Sequence, residues 1–438
     1  MAVQMTKGVA GDSKRSMSWV YSVFPISMAA GPLGTLVQLY LIELNGVQLG
    51  TLYGSLAVAI FNGVGIPASI FWGFATDRLR RRRGLVAFSY AATAAILVSF
   101  FFGRTTAGTI STYAAFSFVS AASATPLNLL IMETETKSRW PGAFARLSMM
   151  SSVGSVGGLL ISTAWVQSFP LLDLSIPLGA FALASAALAL LTMREPPFVL
   201  EAETLVMRKP SFFHRLLAHP VAFLDVPRPS DFRRVFRGIR SGLTNYLPLF
   251  YLSTFLFYFS SGLFNTSFVP AMTSHGIQEG LVFAVILAGM SIQTVSFQFA
   301  GRYVEERSLV MTSVQGLLLR GVCYGGIGAA ALLLSGWSFL APALLLYPVA
   351  GGIAFSVYYT SSNTMMFNTV QKKRPGAALG VYSALIGLAA TVGSLVSGPI
   401  SVYLGFYVTF TLASVLLYSA VFVVSRLPRN RNIQGASQ

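Results

Sequence analysis

Apolar runs of about 20 residues recur along the whole chain, each closed by a short gap that holds nearly all of the charge. An α-helix of about that length crosses a hydrocarbon core roughly 30 Å thick, and there every backbone polar group must be paired within the protein. Of the 438 residues, 54% are hydrophobic and 10% are charged. An ordinary soluble domain carries about 25% charged residues, so most of this surface must face something other than water. The fold class read from this pattern is an all-α polytopic membrane protein.

Twelve spans are expected. The first six fall at about 18–43, 48–75, 84–103, 107–132, 142–167 and 173–193, the second six at about 243–273, 280–302, 308–334, 337–366, 376–401 and 404–425. The implied organisation is a tail (1–17), a first six-helix bundle (18–193), a linker (194–242), a second bundle (243–425) and a closing tail (426–438). The linker stretch "FRRVFRGIR" alternates basic and apolar residues, which suits either a surface helix on anionic lipid or a solvated tether. Trp19, Trp140 and Trp337 fall near span ends, where amphipathic rings favour the interface.

The charges set the orientation. One series of gaps holds Lys7, Lys14 and Arg15, then Arg78 to Arg83, Lys137 and Arg139, Arg302 and Arg307, Lys372 to Arg374, and Arg426 to Arg431; the alternate gaps hold Arg104, Asp173, His275 and Glu279. Lys/Arg excess marks the cytoplasmic face, so both termini are expected there, in a multi-pass protein of the cell membrane. The net charge of +16 is distributed over gaps rather than gathered in one patch, which argues against nucleic acid as a partner. The N-terminal stretch lacks the short apolar core and cleavage site of a signal peptide. The one cysteine, Cys323, lies within an apolar run, so neither an internal disulfide nor a thiolate metal site is expected.

The two halves repeat one another. "AAGPLGT" (29–35) matches "SSGLFNT" (260–266), and "GVQLG" (46–50) matches "GIQEG" (276–280). Gly73 and Asp77 correspond in spacing to Gly301 and Glu305, and "NLLIMETETKSRWPGA" (128–143) corresponds to "NTMMFNTVQKKRPGA" (363–377). Four matches in one order, about 230 residues apart, indicate duplication of a six-span unit, a transporter signature.

The stretch "FWGFATDRLRRRRG" (71–84) places Gly73–x–x–x–Asp77–Arg78–x–x–Arg81–Arg82 after the second span. This resembles the loop between spans 2 and 3 of the major facilitator superfamily, with Arg80 where that family usually has glycine. The resemblance extends over the whole chain through span count, topology and repeat. It implies two pseudo-symmetric six-helix bundles and, at the cytoplasmic face, a gating latch. In that latch Gly73 allows close helix approach, and Asp77 sits against the start of span 11 near Gly376. Arg81 pairs with Glu133 or Glu135 at the end of span 4, Arg78 belongs to the same set, and Gly301 and Glu305 form its duplicate. A topological role alone is the other reading of the arginines.

By the same resemblance the substrate cavity is lined mainly by spans 1, 4, 7 and 10. Gly31, Gly34, Thr35 and Gln38 share one helical face of span 1, and Tyr347, Gly351, Tyr358 and Ser362 share one of span 10. Asn62, Asn128, Trp165, Asn265, Gln293 and Tyr382 are further candidates, each of which would serve as well as an interhelical hydrogen bond. As a set they describe an uncharged, aromatic cavity suited to a neutral or amphipathic organic solute. Glu43, at the outer end of span 1, is the candidate for proton coupling; an ordinary helix-end carboxylate is the alternative. Arg320, near the centre of span 9, is expected to snorkel or to bond backbone carbonyls. "GSVGG" (154–158) and "GVCYG" (321–325) are expected to be packing faces.

The expected function is a secondary carrier for a small organic solute working by alternating access, with proton-coupled efflux favoured by the drug-efflux character of the loop. Uptake or facilitated diffusion of a sugar or metabolite, and a non-transporting receptor on a carrier fold, are the alternatives. The histidines His214, His219 and His275 form no metal spacing and no nucleophile–base set stands out, so neither an enzyme nor a cofactor is expected. The expected assembly is a monomer in a lipid bilayer.

Overall fold

The computed structural model describes residues 18–79, 81–134, 140–193, 247–369 and 375–427. Residues 1–17 and 428–438 of the tails, the 194–242 linker and Glu135 lie outside the described residues, as do the side chains of Asp77, Arg78 and Glu133. Every element among the described residues is helical. The chain opens with a 3-10 turn, Ser18–Ser22, followed by α1 (Val23–Ala30), α2 (Leu33–Leu79), α3 (Arg82–Phe102), α4 (Thr106–Thr134), α5 (Trp140–Trp165) and α6 (Ser175–Thr192). The second half holds α7 (Leu247–Ser274), α8 (Glu279–Glu305), α9 (Leu309–Leu333), α10 (Leu340–Pro348), a π-helical turn (Val349–Ala354), α11 (Phe355–Thr369), α12 (Pro375–Tyr403) and α13 (Phe406–Ser425).

Ten helical stretches among the described residues are long and apolar enough to cross a membrane, the first of them the 56-residue stretch Ser18–Gly73. That stretch is not one rod. Pro32, which has no N–H to donate, marks the junction of α1 and α2, and Gly46 inside α2 takes φ 75° and ψ 169°. Residues on either side of Gly46 are therefore two helices meeting at a sharp kink.

Gly46 has counterparts. Gly276, Gly336 and Gly405 also take positive φ, from 61° to 99°, a backbone region that costs an L side chain strain and costs glycine none. All four lie in the gaps that carry little charge. Arg81 to Arg83, Arg302, Arg307 and Arg426 lie at the other ends of these helices, which makes one end of the molecule arginine-rich and the other a set of tight turns.

The repeat is visible in the packing. α1 crosses α5 where Gly31 lies against Ser155, and where Gly154 and Gly158 lie against the Phe24 and Met28 carbonyls. In the second half, Gly262 of α7 lies against Ala390 and Ser394 of α12, and Gly393 of α12 against the Phe259 carbonyl. A Cβ at any of these positions would fall within 2.9 Å of a neighbouring atom. Helix backbones touch here because the residues are glycine, the usual device where lipid offers no hydrophobic gain from association. Gly321 and Gly325 of α9 make room instead for side chains of α13, those of Tyr418 and Ser414.

Hydroxyl groups bind the second half together. Ser267 of α7 bonds Ser397 and Ser401 of α12, Ser401 bonds Thr409 of α13 at 2.8 Å, and Ser260 donates to the Ala413 carbonyl at 2.7 Å. These side chains are buried, and each satisfied pair avoids leaving a polar group bare in an apolar surrounding. In the first half, Trp19 is 2% exposed and packs with Val20, Tyr90, Leu130, Ala186 and Met193. It does not sit at the interface, because the Ser18–Ser22 turn is held against α6 by Ser185 Oγ donating to the Ser22 carbonyl at 2.6 Å. Trp337, 57% exposed, has the placement expected of an interfacial ring.

Candidate functional site

Contacts between the two halves run along α2 and α12 and along α5 and α8. At the turn-bearing end, Gly398 lies against Ser55 and the Thr51 carbonyl, and Gly280 lies against Thr163, Val166 and Gln167. Nearer mid-depth, Gly387 lies against Ile66 and Gly63 against Thr391. At the arginine-rich end the picture differs. A Cβ on Gly73 or on Gly301 would meet nothing within 4 Å. Arg81, at the N-terminus of α3, and Glu305, the last residue of α8, are exposed. Gly376 lies in the first turn of α12. Arg82 donates from Nη1 to the Thr76 carbonyl at 2.7 Å, satisfying one of the acceptors that the end of α2 leaves open.

Between the halves lies a cavity of about 270 Å³. Gln38, Asn62 and Tyr113 border it from the first half, and Tyr258, Ser261, Asn265, Phe355 and Ser394 from the second. Tyr258, Ser261 and Asn265 recur at spacings of three and four on α7, so one face of that helix supplies three groups. Asn62 Nδ2 donates to Ser394 Oγ at 3.5 Å, and Thr266 Oγ1 donates to the same oxygen at 3.0 Å. This hydroxyl joins α2, α7 and α12 at one point and links the halves. The Gln38 side-chain oxygen is buried with no hydrogen-bond partner. Phe61 stacks on Tyr113 with ring centroids 4.5 Å apart and fixes that wall.

The other residues singled out from sequence are placed as follows. Gly34 lies 3.3 Å from the Tyr113 hydroxyl, measured from where its Cβ would be, whereas Gly31 is spent on the α1–α5 crossing. Thr35 is buried. Tyr347 stacks on Phe268 at 4.4 Å. Tyr358 is packed rather than cavity-facing, 1% exposed, with its ring 3.9 Å from that of Phe257. Tyr382 bonds Ser362 Oγ at 2.9 Å and stacks on Phe250. The Gln293 backbone carbonyl accepts from Ser356 Oγ at 3.4 Å. The Trp165 ring lies tilted against that of Phe169 with centroids 4.5 Å apart, Asn128 is exposed, and Glu43 is exposed at the turn-bearing end.

The sequence reading of an uncharged cavity does not describe what is found, because Arg320 borders it. Arg320 is 3% exposed. Its Nε donates to the Tyr324 hydroxyl at 2.7 Å, one turn along α9, and no backbone carbonyl takes that place. Three ring faces surround the guanidinium carbon, those of Phe257, Tyr324 and Phe355, at 4.9, 5.1 and 5.3 Å from their centroids. Nη1 is buried without a hydrogen-bond partner. Cation–π contacts are worth about 0.5–2 kcal/mol each, which offsets only part of the several kcal/mol that desolvating an ion costs. The signal that could have found it was the charge itself; periodicity could not say which way α9 turns it.

A family profile described as "MFS_1 like family" matches residues 28–412. No curated protein matches the chain in sequence. Among solved structures, the human organic anion transporter MFSD10 (TETRAN) matches with a TM-score of 0.63 at 16% identity, over 94% of this chain and 99% of that one. The inward-open xylose transporter XylE from E. coli matches at 0.63 and 11% identity, over 97% and 98%. A peptide transporter POT in complex with alafosfalin matches at 0.71 and 10% identity, over 95% of each chain. At these identities the likeness is one of fold.

Proposed function

The chain belongs to the MFS_1 like family, and from that membership we propose that it is a membrane carrier moving a small organic solute by alternating access through the cavity between its halves. The observation that carries this reading is a polar and aromatic cavity bordered by both halves, with backbone-close contacts sealing the turn-bearing end. Solutes of this kind bind in concave, mostly apolar sites with a few placed polar groups. The repeated α1–α5 and α7–α12 crossings support two equivalent bundles that rock about that site. In this reading there are twelve crossings. The Gly46 kink divides the first long stretch into two, and the 28-residue α7 crosses despite its serines. The arginine-rich end is cytoplasmic by the positive-inside rule, and the conformation is inward-facing, with the latch around Gly73 and Gly301 released.

Purified protein in proteoliposomes, tested against a panel of labelled organic solutes, should accumulate at least one of them above protein-free vesicles; no flux of any solute would refute the carrier reading. The conformational assignment has its own test. Gly301→Cys should react with a membrane-impermeant maleimide from the arginine-rich side about tenfold faster than Gly280→Cys does, as expected when one access state dominates the population. Equal rates from both sides would contradict it.

Proton-coupled export is the second reading, favoured by the Gly73–Asp77–Arg78 loop. Glu43 is the acid on a cavity helix on which it would rest. Under that reading, Glu43→Gln abolishes the response of flux to an imposed pH gradient while flux down a solute gradient persists. An unchanged pH response in Glu43→Gln removes Glu43 from the coupling scheme.

A further inference from the structure

We propose that the cavity takes a small organic monoanion carrying an aromatic or similarly flat apolar body, and that Arg320 is the group that binds its carboxylate. The inference rests on the carrier reading above and names the substrate class for that same cavity.

The guanidinium is permanently charged and offers five N–H donors in a planar fork that matches a carboxylate. In Arg320 the Nε donor is taken by Tyr324 and Nη1 has no partner. Among the described residues no carboxylate borders the cavity. The acids of the described helices, among them Glu43, Glu279 and Glu305, stand at or near helix ends. Among the described residues the positive charge at the cavity wall is thus met by three ring faces and one neutral hydroxyl, with no counter-charge. A buried cation persists in a membrane interior when it pairs or has work to do, and here the described side chains around it supply no acidic partner. A carboxylate brought by the solute would complete it.

The remaining walls fit the rest of such a solute. Tyr113, Tyr258 and Phe355 present aromatic surface, and Gln38, Asn62 and Asn265 present amides able to fix orientation. A volume of about 270 Å³ gives room for a single-ring acid. Phe355 belongs both to the wall and to the set of rings around Arg320. A ring entering against Phe355 therefore arrives beside the guanidinium.

The test uses matched pairs of probes, benzoate with benzamide and phenylacetate with phenylacetamide, measured by calorimetry on the purified full chain and by flux in proteoliposomes. Each acid is expected to bind at least about tenfold more tightly than its amide, a difference of about 1.4 kcal/mol. Arg320→Gln should erase that preference, Arg320→Lys should keep part of it, and Tyr324→Phe should keep most of it because the charge stays. Should Arg320→Gln fail to fold, the acid-to-amide ratio in the wild type decides by itself. Amides binding as well as acids, or neither acid binding, would overturn the proposal. An unchanged acid preference in folded Arg320→Gln would overturn the role of Arg320. If neutral solutes are transported while both acids are not, the monoanion inference fails and the carrier reading stands; if nothing at all is transported, the carrier reading fails.

Discussion

Gly158→Val is expected to lower the yield of folded, monodisperse protein by about tenfold or more, read by size-exclusion chromatography in detergent. A Cβ at Gly158 would collide with the Met28 carbonyl and lie 2.9 Å from the Met28 Cα. The obstacle is backbone, so no rotamer change relieves it, and α1 must move away from α5 along the crossing. Overpacking a well-filled core costs typically about 1–3 kcal/mol even where side chains yield. Here the shift also disturbs the adjoining Gly154 and Gly31 contacts and the Ser27–Ser151 hydrogen bond of 3.1 Å. Gly157→Val serves as the control. Its Cβ would meet only the end of the Met28 side chain at 3.6 Å or more, so near-normal yield is expected. Equal behaviour of the two variants would mean that the α1–α5 crossing is not closely packed.

The second large effect concerns the sealed end. The double substitution Ser55→Cys and Gly398→Cys should form a disulfide under mild oxidation and stop transport, with activity restored by reductant. The Ser55 Cβ stands 2.7 Å from where a Gly398 Cβ would be. A disulfide requires about 3.5–4.5 Å between its Cβ atoms, so a small separation of α2 from α12 admits the bond. If α2 and α12 part at this end during every cycle, a covalent link there holds the carrier in one state, and flux falls to the level of empty vesicles. The native Cys323 is buried and does not compete for the link. A cross-linked protein that still transports at the uncrosslinked rate would show that this end does not open.

Much of the scaffold was legible. The "GVQLG" and "GIQEG" match anticipated corresponding positions, and Gly46 and Gly276 indeed share a turn geometry, with φ 75° and 71°. Glycines four apart in "GSVGG" and "GVCYG" point to packing faces by spacing alone, and they lie against α1 and α13. Spacing rules work there because the required feature is local, the absence of a side chain. The cavity was legible only in part. Gln38, Asn62 and Asn265 were singled out because polar side chains within apolar spans are informative on their own. Tyr358 was grouped with Tyr347 by assuming a constant 3.6-residue period. The π-helical turn Val349–Ala354 lies between them and changes the phase; Phe355 borders the cavity, whereas Tyr347 packs on Phe268 and Tyr358 on Phe257. Such an insertion leaves no periodic trace in sequence. Arg320 was visible as a charge at mid-span, but its direction depends on how α9 packs against α11 and α13 and on the hydroxyl of Tyr324. Those are tertiary facts.

Four glycines with positive φ, Gly46, Gly276, Gly336 and Gly405, make four of the connections at the turn-bearing end tight, while the nine residues from 166 to 174 form the roomier one. At those four positions successive helices are stapled into hairpins, and a long insertion would have to break a staple to be accommodated. Protein engineers seeking a place for an epitope, a fluorescent reporter or a nanobody graft would do best to leave those four turns alone. A macromolecule approaching from that side would find helix caps rather than extended strands of chain to grip.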